Sequence, residues 1–208
     1  MRQRLSEMLQ TAASDALERR VKPVEALADD AQQVAAACHA MAIRFHRGGK
    51  LVCFGSGGPS TDAQHIAVEF VHPVIVGKRA LPAISLTGDV ATLTSVASRD
   101  GYAEIYAHQL RYLAAPSDIA LGVSVDGNDP AVLAGLEAAA ELGMLTIALV
   151  GGDGGRTAAS PAVHHALAAR SDDPLVVKEV HVTTYHVLWE LVHVLFEQPG
   201  VLDPEVVR

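Results

Sequence analysis

From Lys50 onward, short runs rich in β-branched and other apolar residues alternate with longer segments of helical periodicity, and no other property of the sequence restricts its fold so strongly. The strand-like runs are 51–54, 83–86, 119–123, 145–150 and, less regularly, 163–167; the helical segments are 61–71, 90–98, 103–114, 130–142 and 175–197. Parallel strands need long crossover connections, usually helices, so this alternation predicts an α/β domain built on a parallel sheet. Half of the 208 residues are hydrophobic and only 4% are aromatic, which provides one sizeable, mainly aliphatic core.

Ahead of the sheet, segments 5–20 and 23–47 carry apolar residues at three- and four-residue spacing, with Pro23 where a first helix would stop and a second begin. Ala31, Ala35, Ala36, Ala37, Ala40 and Ala42 permit close helix packing, either as an oligomerisation arm or as a helix covering its own domain. The expected division is therefore 1–47 as N-terminal helices, 48–198 as the α/β domain and 199–208 as a tail. A formal net charge of -8 argues against general binding of nucleic acid or anionic membranes, both of which need Lys and Arg to meet phosphates. Cys38 and Cys53 form neither a disulfide framework nor a metal-ligand pattern, which fits a reducing cytoplasm. No apolar run approaches the roughly 18 residues of a membrane span, and the start of the chain has no apolar leader core.

Open parallel sheets bind ligands beyond the carboxyl ends of their strands, which directs attention to 55–58, 87–89, 124–128 and 151–155. Gly55 and Gly57 begin a Gly-x-Gly pattern, but Ser60 replaces the third glycine of a dinucleotide fingerprint. On the helix that follows, His65 and Glu69 share a face opposite the apolar Ala63, Ile66, Ala67 and Phe70. They read as metal ligands, as an acid/base pair, or as a surface ion pair. The last helix is apolar around nearly its whole circumference, so Lys178, His186, Glu190 and His193 within it need partners. Lys178 and His186, eight residues apart, share a face, whereas His181 and His193 read as satisfied core histidines.

Taken together, Gly55-Ser56-Gly57-Gly58, Asp62-Ala63-Gln64-His65, Glu69, Leu86-Thr87-Gly88-Asp89, Gly151-Gly152-Asp153-Gly154-Gly155 and Lys178-Glu179-Val180-His181 with His186 resemble the sugar isomerase (SIS) domain, in its phosphoheptose isomerase subgroup. The resemblance covers nearly the whole chain. It implies a three-layer, doubly wound, flavodoxin-like parallel sheet with an N-terminal helical arm, and an aldose-ketose isomerase in which Glu69 and His186 exchange the proton. It further implies a zinc site at His65, Glu69 and His186, and a sugar or sugar-phosphate site at Ser56, Gly57, Gly58, Thr87, Asp89, Ser124, Asp126, Asn128, Asp129 and Lys178. A homotetramer with sites between subunits is implied as well. A close relative of the subgroup is a non-enzymatic regulator of DNA-replication initiation, which leaves a non-catalytic ligand-binding or assembly role as the alternative.

Departures from the family pattern cluster at the expected site. The Ser- and Thr-rich phosphate loop reads Ser124-Val125-Asp126-Gly127-Asn128-Asp129, with carboxylates in place of two hydroxyls. Like charges 4 Å apart repel by about 4 kcal/mol at an effective dielectric near 20, enough to cancel several hydrogen bonds to a phosphate. An expected Asn-Asp pair reads Ser98-Arg99, with Asp100 one place further on, and an Asn of the first loop is Ser56. The family glutamine is Lys178. Either three protein ligands remain for zinc, or a protonated Lys178 repels the cation and takes over its electrostatic role. Asp126 and Asp129 fit a neutral or cationic sugar derivative better than a phosphate.

Overall fold

Alternate residues along each strand enter opposite layers of the molecule, as the period of two requires. Leu51, Cys53, Ile119, Leu121, Ile147 and Leu149 face one side, and Val52, Phe54, Ala120, Ala148 and Val150 face the other. The computed structural model describes residues 1–198 and 200–202. Its strands are β1 (Leu51–Gly55), β2 (Ala83–Ser85), β3 (Ile119–Val123), β4 (Leu145–Gly151) and β5 (His165–Ala169), all parallel in the order β2-β1-β3-β4-β5. Burial on both faces explains why β1, β3 and β4 read as continuous apolar runs.

The helices are α1 (Arg2–Asp29), α2 (Ala31–His46), α3 (Gly58–Val71), α4 (Val90–Arg99), α5 (Glu104–Leu113), α6 (Pro130–Glu141), α7 (Gly155–Ala159) and α8 (Pro174–Glu197). Helices α2, α3 and α8 cover one face of the sheet; α4, α5 and α6 cover the other. No helix among the described residues is long and apolar enough to cross a membrane. Of the expected tail, residues 199 and 203–208 lie outside the described residues, and Leu202 is buried.

Three local expectations are corrected. The first helix does not stop before Pro23 but runs through it to Asp29. A proline inside a helix costs roughly 3 kcal/mol in isolation; here Pro23 is buried, and Arg20 forks onto Glu179 of α8 with N···O distances of 2.6 and 2.9 Å. The break falls instead at Asp30, which pairs with Arg170 beyond β5. Strand β5 begins at His165 rather than 163, because the Thr146 hydroxyl donates to the Ala162 carbonyl at 2.6 Å and accepts from His164 N at 3.0 Å, holding this approach outside the ladder. Finally, α8 buries one stripe, from Val176 to His193 at helical spacing, and leaves Leu175 and Val194 exposed.

Helix α7 falls where the sequence pattern shows only a glycine loop, and it pins the loop after β3. Thr157 donates to the Gly127 carbonyl from its backbone N at 2.9 Å and from its hydroxyl at 2.7 Å. Gly127 has φ of 71°, and a Cβ there would lie 1.9 Å from the Gly154 carbonyl oxygen. Gly127→Ala is therefore expected to lower unfolding stability by about 1–3 kcal/mol, seen as a fall of several degrees in Tm. An unchanged melting curve would show that the two loops separate without cost.

Candidate functional site

The order 2-1-3-4-5 places the topological switch between β1 and β3, where the chain leaves in opposite directions and a crevice opens. Beyond β1, Gly57 takes a φ of 68° and starts α3 at its positive end. Gly55 sits where a Cβ would meet the Val123 carbonyl oxygen at 2.8 Å, so only glycine lets the loops after β1 and β3 approach this closely. Ser56, Pro59, Ser124, Asp126, Asn128 and Asp129 line the resulting cleft of about 250 Å³. Behind it, the buried Tyr106 donates to the Gly55 carbonyl at 2.6 Å. Tyr102 donates to Asp129 at 3.1 Å.

Eleven residues separate Gly58 from Glu69, about 16 Å along the axis of α3 at ~1.5 Å per residue. At that far end His65, Glu69 and His186 gather, with one ligand atom from each lying within 4.8 Å of the others. His65 Nε2 is 3.1 Å from Glu69 Oε1, and the rings of His65 and His186 meet edge to face at 5.4 Å. An opening of about 430 Å³ beside them is lined by Glu69, His186, Trp189, Glu190 and Lys78, with apolar Val74 and Ile75.

Two aromatic residues of α8 aim this cluster. The Tyr185 hydroxyl is 2.7 Å from His65 Nδ1, which leaves Nε2 as the nitrogen facing Glu69. Trp189 donates its indole N–H to the Glu69 carbonyl at 3.0 Å. Burial, reinforced by the carboxylates of Asp62 and Glu69, pushes the Tyr185 phenol above its ordinary value, so it remains a protonated hydrogen-bonding group. Two histidines and a carboxylate form a donor set able to hold a divalent metal ion.

The remaining residues named from the sequence divide between the two ends of α3 and its surroundings. Thr87 accepts from Gln64 at 3.0 Å beside the first turns of α3, while Asp89 is an exposed cap on Thr92 at the start of α4. Lys178 donates to Asp62 Oδ1 at 2.7 Å and to the Thr61 hydroxyl at 3.1 Å. Its charge is thus matched by a buried carboxylate one turn before His65. Sequence reasoning missed Tyr102, Tyr106, Tyr185 and Trp189, and named Asp62 within the motif before His65 without its partner Lys178. The adjacency of Tyr185 to His186, and of Asp62 to the His65 turn, was the available signal. His181 and His193 are buried and bonded to backbone carbonyls, His181 to Val150 and His193 to Trp189 and Arg79.

Comparison with known proteins follows the same lines. The family described as the SIS domain matches residues 15–151. A phosphoheptose isomerase of Solidesulfovibrio magneticus is 42% identical over 177 residues, which is 85% of this chain and 85% of that protein. The solved phosphoheptose isomerase of Francisella tularensis is similar at a TM-score of 0.82 and 29% identity, covering 88% of this chain and 97% of that one. That of Neisseria gonorrhoeae gives a TM-score of 0.81 at 26% identity, covering 88% and 98%.

The Lys178–Asp62 pair has a direct consequence for stability. Lys178→Met leaves a carboxylate of 4% side-chain exposure without its cation and is expected to cost about 2 kcal/mol in denaturant unfolding. Lys178→Gln keeps a donor and should lose less; equal losses would show that the pair contributes only through packing.

Proposed function

The chain belongs to the SIS domain family, and on that premise we propose that it is an aldose-ketose isomerase whose proton transfer is carried out at Glu69 and His186. The observation that carries this reading is the meeting of His65, Glu69 and His186, brought from two helices to within 4.8 Å. The names of the relatives favour an enzyme over a non-catalytic module.

In this reaction a proton leaves the carbon beside the carbonyl and returns on its neighbour, so the site needs a base that reaches both carbons and an acid at the carbonyl oxygen. The Glu69 carboxylate accepts the proton, and its helix is held by the bond from Trp189 to its carbonyl. His186, more exposed and at the mouth of the opening, hydrogen-bonds the oxygen that becomes a hydroxyl. His65 is oriented by Tyr185 rather than by solvent. His65, Glu69 and His186 would hold the zinc, and zinc bound there supplies Lewis-acid polarisation of the substrate carbonyl. Lys178, tied to Asp62, adds no fourth ligand, since an ammonium has no lone pair to give.

The polar cleft with Ser56, Gly57, Gly58, Ser124, Asp126, Asn128 and Asp129 takes the remote end of the sugar. Cleft and cluster stand at opposite ends of α3, and the reading we adopt is a homotetramer in which a neighbouring copy completes the site. The exposed Leu5, Met8, Leu9, Leu17 and Val21 of α1 support this, as do exposed Val74, Ile75 and Val76 after α3. A cytoplasmic location agrees with Cys38 and Cys53, both buried and unpaired.

Incubated in deuterium oxide with a ketoheptose and with its 7-phosphate, the protein is expected to exchange the proton beside the carbonyl of at least one of them. Glu69→Gln is expected to reduce that exchange by a hundredfold or more. Exchange with neither sugar would reject the isomerase. Light scattering at micromolar concentration is expected to give the mass of four chains, and a monomer would refute the shared site.

A further inference from the structure

We propose that the cleft at the β1/β3 switch takes an unphosphorylated, hydroxyl-bearing end of the substrate, with Asp129 and Asp126 excluding phosphate from it. This rests on the isomerase reading and names the substrate class of the same site.

A helix that starts at a switch-point crevice is ordinarily the place for an anion, because its first amides have no partners within the helix. In this chain those amides are already taken. Asp129 Oδ1 accepts from Ala131 N at 2.8 Å and from Val132 N at 3.0 Å, and its second oxygen accepts from Tyr102 at 3.1 Å. Along the same loop, Asp126 Oδ1 accepts from Asn128 N at 2.9 Å, and the Ser124 hydroxyl accepts from Gly127 N at 3.1 Å. Four backbone amides and the Tyr102 hydroxyl, donors that could have met phosphate oxygens, therefore serve the chain's own side chains. Two of the three acceptors are carboxylates, so a phosphate would meet like charge where it needs donors.

No compensating cation lines the cleft among the described residues. At the same rim Lys178 is held by Asp62, and Arg170 is held by Asp30. The neighbouring opening beyond β4 and β5, about 750 Å³, presents Asp126, Asp153 and Asp172 beside that engaged arginine. The backbone N of Arg156 donates to Asn128, but its side chain lines neither opening. What the cleft offers is chiefly acceptors: the second oxygen of Asp126, the outer oxygen of Asp129 and the Ser56 hydroxyl. Sugar hydroxyls, each a donor, satisfy such acceptors; a phosphate near neutral pH has few protons to give.

The test compares a ketoheptose with its 7-phosphate on the oligomeric protein, following aldose formation for kcat/KM and heat of binding for Kd. The wild type is expected to favour the free sugar at least tenfold in kcat/KM or, where turnover is too slow to measure, in Kd. Asp126→Ser combined with Asp129→Ser should shift the ratio toward the 7-phosphate by tenfold or more; serine also caps helices, so α6 keeps its start. Asp126→Ser alone, on the exposed part of the loop, should shift it in the same direction if the double variant does not fold. A wild-type preference for the 7-phosphate, or a ratio unmoved by both variants, would overturn the proposal and leave the isomerase intact. Absence of turnover with tighter binding of the free sugar would support this proposal while rejecting the isomerase.

Discussion

The packing of α8 across α3 is the contact on which the site depends. Tyr185 and Trp189 lie one turn apart on α8, bury their rings between the helices, and send their polar ends to His65 and to the Glu69 carbonyl. An aromatic side chain of this kind combines a large apolar area with a single directional hydrogen bond. The same two residues therefore hold the helices together and aim the groups that project from them. Rotating α8 by a fraction of a turn would disperse the histidines and expose the rings, so stability and geometry are coupled through one interface.

At the other end of α3 a different rule operates. The carboxyl edge of the sheet gathers the starts of α3, α6, α7 and α8, all positive ends of helix dipoles, and a chain of net charge -8 meets them with its own acids. Asp129 caps α6, Asp153 closes the turn into α7, Asp173 caps α8, and Asp62 holds Lys178. The acids of this rim are hydrogen-bonded within the chain. A cleft built in this way rewards ligands that donate hydrogen bonds and penalises those that bring charge.

Much of the architecture was legible in the sequence because its signals are local. The continuous apolar runs of β1, β3 and β4 and the three-and-four spacing of the helices each report on neighbours along the chain. For that reason the strands were placed within two residues, and the His65/Glu69 face was recognisable. Where tertiary forces compete with local ones, the reading failed. Pro23 is a helix breaker by propensity, yet it sits inside α1, held over α8 by Arg20 and Glu179. Thr146 displaces the start of β5 through a side-chain bond to residues 162 and 164, and no periodicity announces it. Helix α7, only five residues long, has too little pattern to see.

The sequence by itself determined that the chain is a parallel α/β sheet, that glycines follow its first and third strands, and that a histidine and a glutamate share one face of the first helix after β1. These follow from residue type and spacing, which act over a few positions. Only the tertiary structure decided which groups those residues meet. Tyr185 reaches His65 across 120 positions of sequence, and Lys178 reaches Asp62 across 116. Such partners depend on the depth and rotation at which two helices pack, a property of the filled core as a whole that no single segment encodes.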